Sequence, residues 1–201
     1  MGLINTNIAQ KYDDACWVAQ ALFVRGRVSG SSANISFVHD RKIYISGSGT
    51  CFGRLTPTDF AVTDWDGIPL SAVKPSKELE LHRTIYRHCA DVEAVIHTHA
   101  PYTTLWSCLP HEKTSTMPQY TPYLRMRVGT VGLIPYAAPG TQELFELFRA
   151  RIGADSAYIL QNHGGIVGGK SLLDAFYSIE ELEDSARIAW YMRNENVRPD
   201  L

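Results

Sequence analysis

The most constraining feature of this sequence is the stretch EAVIHTHAPYTT (residues 93–104), in which an apolar run ends on two histidines separated by one residue. Side chains at positions i and i+2 of a strand project to the same face of a sheet, so His97 and His99 are expected to point together from the end of one strand. A strand can grip a metal ion in this way. A polar pair at a strand end is also common where a strand simply leaves the core, and the pattern alone leaves both interpretations open.

Composition and charge are those of an ordinary globular protein. The 201 residues are 45% hydrophobic and carry a formal net charge of −2, with acidic and basic residues interspersed. The chain has no basic face for a nucleic acid, so a small molecule is the expected partner. One domain over residues 1–201 is expected because this length can enclose one substantial core. No apolar run is long enough for a membrane span and the amino terminus lacks a signal peptide, which predicts a cytoplasmic protein.

The cysteines do not suggest a disulfide framework or a zinc ribbon. They lie far apart and form no Cys-x-x-Cys pair: Cys16, Cys51, Cys89 and Cys108. We expect reduced and mostly buried thiols.

Hydrophobic periodicity predicts strands and helices interleaved in one α/β unit. The predicted helices run from about Thr6 to Arg25, after Pro75 and Ser76, from about Thr103 to Cys108, from near Thr141, and from about Ser171. The predicted strands lie near Ile35–Val38, at Lys42–Ser46, within FAVTDWDGIPL, before His97, within VGTVGLIP, up to His163, and at Ile166–Val167.

A third histidine follows another apolar run. His163, in YILQNHGG, precedes two glycines that allow a tight turn. Catalytic zinc sites commonly use three protein ligands and keep one position open, and neutral imidazole suits that metal. The nearest carboxylate candidate is Glu78 in KPSKE, although a glutamate in a first helical turn often only complements the helix dipole. The other histidines, His39, His82, His88 and His111, are expected to be exposed or structural.

Three turns rich in serine and glycine offer backbone N–H groups and hydroxyls that suit an anion such as phosphate. They are GSSANIS from Gly30, SGSG from Ser46 and KPSK from Lys74. Turns of this composition are frequent, so each is a weak signal by itself.

The ordered series SSANIS, SGSG, KPSKELELH, AVIHTHAPY and QNHGG resembles the class II aldolase family, and the likeness covers nearly the whole chain. That family includes L-fuculose-phosphate aldolases, L-ribulose-5-phosphate 4-epimerases and the adducin head domain. The resemblance implies a three-layer α/β/α sandwich with a largely antiparallel central sheet. It also implies a C4-type homotetramer with sites at subunit interfaces.

The resemblance further implies roles for individual residues. One divalent metal per subunit, usually zinc (Zn2+), would be held by His97, His99 and His163, with Glu78 as acid/base and potential fourth ligand. The substrate phosphate would be bound by Ser31, Asn34, Ser48, Gly49 and Ser76. Tyr120 or Tyr123 would donate a proton across the subunit interface, and packing of a buried tyrosine is the alternative.

One departure from the family pattern favours a particular branch. Aldolases of this family usually have a serine where this chain has Lys77, and KPSKE, GSGTCFGRLTP and PQYTPYLRMRVG are more similar to the 3-oxo-tetronate 4-phosphate decarboxylases. This implies a metal-dependent lyase that converts 3-oxo-tetronate 4-phosphate to dihydroxyacetone phosphate through an enediolate stabilised by the metal. Lys77 would orient the carboxylate or share the phosphate charge, or would be a solvated lysine.

Other functions remain open at this point. A class II aldolase would cleave a sugar phosphate such as L-fuculose 1-phosphate, and a methylthioribulose-phosphate dehydratase would share the histidine set. A non-catalytic adducin-like binding domain would not need three intact histidines and Glu78.

Overall fold

A seven-stranded sheet forms the centre of the computed structural model, which describes residues 7–111, 117–153 and 155–195. The strands are β1 (Asn34–His39), β2 (Lys42–Ser46), β3 (Phe60–Thr63), β4 (Ala94–Thr98), β5 (Gly132–Ile134), β6 (Ala157–Leu160) and β7 (Gly164–Gly169). Their order in the sheet is β3-β2-β1-β4-β7-β6-β5. Neighbouring strands pair antiparallel except for β5 and β6, which are parallel.

Helices cover both faces of this sheet. They are α1 (Ile8–Val24), α2 (Leu79–His88), α3 (Pro101–Ser107), α4 (Pro122–Arg127), α5 (Gln142–Arg151) and α6 (Leu172–Met192), with single 3-10 turns at Phe52–Arg54 and Pro57–Asp59. One core cluster joins α1, α3 and α6 to Ile35 and Ile96, and the second joins α2 and α5 to Val95 and Ile166. The predicted α/β/α sandwich with a largely antiparallel sheet is therefore confirmed. Among the described residues, no helix combines the length and apolarity needed to cross a bilayer.

Local sequence signals explain where several elements begin and turn. The side chains of Asn7, Thr141 and Ser171 each accept a hydrogen bond from a backbone N–H of the first turn that follows, as N-cap residues do. Asp40 and Arg41, between β1 and β2, have φ angles of 44° and 58°. Positive φ at both central residues is what a two-residue type I′ hairpin turn requires.

The position of β4 decides where the predicted metal ligands lie. His97 is paired with Asn34 of β1 on one side and with Ile166 of β7 on the other. Side chains at paired positions share a face of the sheet. His97 and Asn34 therefore both project toward the layer that holds α2, together with His99 two residues further along.

Three details differ from the sequence predictions. The strand predicted to end at His163 stops at Leu160, because the chain must reverse into antiparallel β7 through a turn in which Asn162 adopts a φ of 55°. The helix α4 was not predicted, since six residues are too few to show helical periodicity. The thiols are free as expected, but three are half-buried and Cys108 is exposed, so the prediction of mostly buried cysteines was wrong.

Gly164 is the first residue of β7 and lies beside the end of β4, its neighbour in the sheet. A Cβ atom added there would be 2.3 Å from the carbonyl oxygen of Thr98 and 3.2 Å from Cδ2 of His99. We predict that Gly164→Ala lowers the free energy of unfolding by about 1–3 kcal/mol, because the two strands must separate to admit the methyl group. Urea denaturation measures this change. Gly153→Ala is the matched control, since a Cβ there meets no atom within 4 Å; equal stability of the two variants would contradict the prediction.

Candidate functional site

Three imidazole rings from two parts of the sheet converge on one point. His97 is the penultimate residue of β4, His99 directly follows that strand, and His163 lies in the turn between β6 and β7. One ligand atom from each ring lies within 4.8 Å of the other two, and the Nε2 atoms of His97 and His99 are 3.1 Å apart. The structure thus brings together the three residues that the sequence predicted as metal ligands. His97 and His163 are buried, and His99 is half-buried.

A buried carboxylate completes this cluster. Glu78 immediately precedes the first residue of α2, and its Oε2 lies 3.4 Å from Nε2 of His97. Its Oε1 lies 3.4 Å from Nε2 of His163. The start of α2 therefore delivers one carboxylate to the point where three histidines meet.

The imidazoles of the cluster are neutral at neutral pH. Burial, reinforced by neighbouring histidines, lowers the pKa of His97 and of His163 to about 3. Burial also lowers the pKa of His99. The contacts with Glu78 are therefore not ion pairs to imidazolium groups. Neutral imidazole is the form that binds a metal.

The tautomer of His97 is set by the backbone. Its Nδ1 lies 2.9 Å from the carbonyl oxygen of Gly165, which can only accept, so Nδ1 carries the proton and donates it. Nε2 is then left with a lone pair that faces the cluster. A backbone carbonyl that holds the outer nitrogen of a ligating histidine is a common support in metal sites.

Several polar atoms of the cluster have no hydrogen-bond partner among the described residues. They are Oε1 of Glu78 and both ring nitrogens of His163. Leaving a buried polar atom unpaired costs about 1–3 kcal/mol. A divalent cation between the four side chains would satisfy Oε1 and one nitrogen of His163. Three imidazole nitrogens and one carboxylate oxygen form a donor set that Zn2+ accepts, so the residues fit such an ion.

A cleft of about 240 Å³ leads from this cluster to the surface. Glu78, His99 and His163 line it, and so does Lys77. All the residues predicted to bind phosphate line it as well: Ser31, Asn34, Ser48, Gly49 and Ser76. The volume lies below the usual range for sites of drug-sized ligands, so the cleft suits a small molecule.

Two of these residues also support Glu78. The Nδ2 of Asn34 donates to Oε2 of Glu78 at 3.0 Å, while Oδ1 of Asn34 bonds to His82. The hydroxyl of Ser76 accepts a hydrogen bond from the backbone N–H of Glu78 at 3.3 Å. Asn34 is thus engaged with the carboxylate, and its contact with a phosphate stays a prediction.

Lys77 lies at the rim of the cleft with its side chain exposed. Its aliphatic stem runs beside Gly140, where an added Cβ would come within 2.9 Å of Cδ of Lys77. Burial has the largest effect on the pKa of His99 and lowers it, and the nearby Glu78 raises it. The charge of Lys77 is the next influence and lowers the pKa of His99. The ammonium group is therefore close enough to act on a ligand bound at the cluster.

The two tyrosines proposed as proton donors are not brought to this cleft by their own chain. Tyr120 is half-buried and packs against the core cluster that contains α1, α3 and α6. Tyr123, on α4, is 62% exposed. Neither is among the described residues that line the cleft. Their role stays a prediction about contact between subunits.

Sequence reasoning missed the part played by His82, which was expected to be exposed or structural. It is fully buried and hydrogen-bonded to Asn34 directly behind Glu78. The signal was its spacing, because His82 follows Glu78 by four residues and therefore lies one helical turn further along the same face of α2. The other three histidines lie apart from the cluster, and His111 contacts the carbonyl oxygen of Trp106 at 2.9 Å.

The sequence was compared with known families and proteins. A profile described as "Class II Aldolase and Adducin N-terminal domain" matches residues 13–190. A 3-oxo-tetronate 4-phosphate decarboxylase of Haemophilus influenzae is 33% identical over 96% of this chain and 92% of its own length. An L-fuculose phosphate aldolase of Methanocaldococcus jannaschii is 33% identical over 85% of this chain and 91% of its own length. These two relatives are thus named for different reactions and have the same sequence identity to this chain.

A solved structure is similar to this chain over nearly its whole length. The crystal structure of YgbL from Klebsiella pneumoniae, described as a candidate aldolase, epimerase or decarboxylase, superposes with a TM-score of 0.90. It is 33% identical in sequence and covers 98% of this chain and 95% of its own.

The donor set predicts that the protein binds one Zn2+ and that His97→Ala weakens zinc binding by more than about 100-fold, since loss of a ligand should cost at least as much as loss of a group that supports one. Competition with a chelating dye measures the affinity. His88→Ala is the matched control, because His88 is exposed on α2 and lies outside the cluster. Unchanged zinc affinity in His97→Ala would exclude this set of ligands.

Proposed function

Because this chain belongs to the class II aldolase and adducin N-terminal domain family, we propose that it is a metal-dependent lyase that decarboxylates 3-oxo-tetronate 4-phosphate to dihydroxyacetone phosphate. One observation carries the proposal. A carboxylate with one unpaired oxygen meets three neutral imidazoles in a small cleft, and a lysine stands at its rim. The proposed ion is one Zn2+ per subunit, held by His97, His99 and His163.

The reaction breaks one carbon–carbon bond and forms one carbon–hydrogen bond. In 3-oxo-tetronate the carboxylate carbon C1 is attached to C2, next to the C3 ketone. When CO2 leaves, the electron pair of the C1–C2 bond is shared by C2 and the ketone oxygen as an enediolate, and C2 must then gain a proton. When bound, the metal ion supplies positive charge that stabilises the negative charge developing on the ketone oxygen.

Glu78 is the residue proposed to deliver the proton to C2. Its two oxygens differ: Oε2 accepts from the amide of Asn34, whereas Oε1 has no hydrogen-bond partner among the described residues. Because Asn34 fixes one oxygen, the other is held in a constant direction toward the cluster. A positioned acid of this kind contributes about 10²–10⁴-fold to a proton-transfer step. Before substrate binds, Oε1 would be the fourth metal ligand; to act as the acid it would have to leave the metal and take up from water the proton that C2 gains.

The polar groups of the cleft support a substrate with two anionic groups, a phosphate and a carboxylate. Of the described residues that line it, Lys77 is the one lysine or arginine, and hydroxyls of Ser31, Ser48 and Ser76 come from three different turns. Phosphate would be bound by these turns together with Asn34 and Gly49. Lys77 would pair with the substrate carboxylate. An aldolase substrate such as L-fuculose 1-phosphate lacks that carboxylate, and this difference favours decarboxylation.

We propose that the protein works as a homotetramer with its sites at subunit interfaces. The position of Tyr123 supports this proposal, because the side chain is exposed and outside the cleft of its own subunit. Tyr123, or Tyr120 beside the same segment, would then be the alternative to Glu78 as donor of the one proton that C2 gains, acting in a neighbouring subunit's site.

The zinc-loaded protein is predicted to release CO2 from 3-oxo-tetronate 4-phosphate and to release little aldehyde from L-fuculose 1-phosphate. Parallel assays of CO2 and of aldehyde measure the two reactions. Glu78→Gln should keep its zinc and lose most CO2 release, because the amide cannot supply the proton. Efficient cleavage of fuculose 1-phosphate without CO2 from the other substrate would assign the protein to the aldolases. Turnover of a methylthioribulose phosphate alone would make it a dehydratase.

The role of Lys77 is tested by Lys77→Ser, which places the residue usual in aldolases at this position. We predict that KM for 3-oxo-tetronate 4-phosphate rises by about 10–100-fold, the equivalent of one lost charge-assisted hydrogen bond of about 1.5–3 kcal/mol. Zinc content should not change. Lys74→Ser is the control, since Lys74 is exposed and does not line the cleft. If KM rises no more in Lys77→Ser than in Lys74→Ser, Lys77 is a solvated lysine without a role in substrate binding.

A further inference from the structure

A row of buried polar side chains extends from Glu78 away from the cleft and between α2 and β1. In order from the carboxylate, the row consists of Asn34, His82, Ser36 and Tyr86. The Oγ of Ser36 lies 2.7 Å from Nδ1 of His82 and 2.6 Å from the hydroxyl of Tyr86. Each member of the row is buried. The proposed reaction uses only the first of them.

The row exists because two regular elements present matching side chains. Asn34 and Ser36 are two residues apart on β1 and share one face of the strand. Glu78, His82 and Tyr86 are four residues apart and lie along one side of α2. Side chains of the strand and of the helix therefore alternate along the row, with a hydrogen bond at every step.

The direction of each hydrogen bond follows from the carboxylate. The proton that Glu78 would deliver is carried by Oε1, so Oε2 can only accept, and the group of Asn34 that faces it is the NH2 group. The Oδ1 of Asn34 then faces Nε2 of His82 and must accept a hydrogen bond from it. Nε2 of His82 is therefore protonated and Nδ1 has the lone pair.

The hydrogen bonds at the far end of the row have the same direction. Since Nδ1 of His82 can only accept, the hydroxyl of Ser36 donates to it, and the hydroxyl of Tyr86 donates to Ser36. All the donated protons point toward Glu78. Hydrogen bonds aligned in this way polarise and strengthen one another.

We propose that His82 is a positioning residue for Glu78: its Nε2–H holds the Asn34 amide in the one orientation that donates to Oε2 and leaves Oε1 facing His163. The inference rests on the proposed role of Glu78. If the amide of Asn34 rotated by half a turn, its oxygen would face the carboxylate and two acceptors would repel. His82 prevents this rotation because its Nδ1 is already committed to Ser36. Burial, the largest influence, lowers the pKa of His82 to about 3, so the ring stays neutral.

The tautomer of His82 gives a test that does not depend on any substrate. Long-range 1H–15N correlation spectra of the zinc-loaded, full-length protein distinguish protonated from bare ring nitrogens, and His82→Gln identifies the signals of His82 by their loss. We expect a proton on Nε2 and a bare Nδ1 at neutral pH. A proton on Nδ1, or on both nitrogens, would overturn the inference even if the protein proves to catalyse another reaction of this family.

Kinetics test the consequence for Glu78. His82→Leu should lower kcat for CO2 release by about 10–100-fold, as loss of a supporting residue does at other sites, with KM changed less than about threefold. His82→Gln carries an N–H near the position of Nε2 and should recover most of that loss. His88→Leu, exposed on the same helix, is the control.

The pattern across the variants separates positioning from packing. If His82 had only a structural role, His82→Leu and His82→Gln would both have lower thermal stability, and His82→Gln would not recover kcat. That result would overturn the inference. An unchanged kcat in His82→Leu would also overturn it. If His82→Leu does not fold, the comparison of His82→Gln with wild type and the tautomer of His82 decide the question. Absence of CO2 release in the wild type would count against the proposed function, while the tautomer still tests the role of His82.

Discussion

The pairing of β4 with β1 on one side and β7 on the other determines the position of His97, His99 and Asn34. His97 lies opposite Asn34 and Ile166, and Thr98 lies opposite Gly165. A slip of one residue would exchange the two faces of β4 and turn His97 to the face where α1 and α6 pack. The bond from Nδ1 of His97 to the carbonyl oxygen of Gly165 depends on the same register. A central strand fixed from both sides is a rigid support for metal ligands.

On this support the protein collects polar groups that would be costly to bury separately. The histidines are kept neutral by burial, and the one carboxylate among them is held at Oε2 by Asn34. What remains unpaired is Oε1 of Glu78 and the nitrogens of His163. A divalent cation would satisfy Oε1 and one of these nitrogens. The proposed metal binding and the proposed decarboxylation thus follow from one electrostatic requirement.

Much of this arrangement could be predicted from the sequence, because it depends on short patterns. The spacing of His97 and His99 placed both on one face, and the glycines after His163 predicted a turn. The resemblance of ordered motifs supplied Glu78, which its helical position alone did not. The role of His82 was not predicted, since it depends on which side of α2 faces β1. The contacts proposed for Tyr120 and Tyr123 would involve other subunits, about which local patterns carry no information.

X-ray absorption at the zinc edge reports whether three histidines and one carboxylate form a zinc site. The protein would be loaded with one equivalent of Zn2+ and measured in solution. We expect a first shell of nitrogen and oxygen at about 2.0–2.1 Å, with the multiple-scattering signature of three imidazoles. A shell containing sulfur at about 2.3 Å, or fewer than two imidazoles, would place the metal elsewhere and exclude this zinc site.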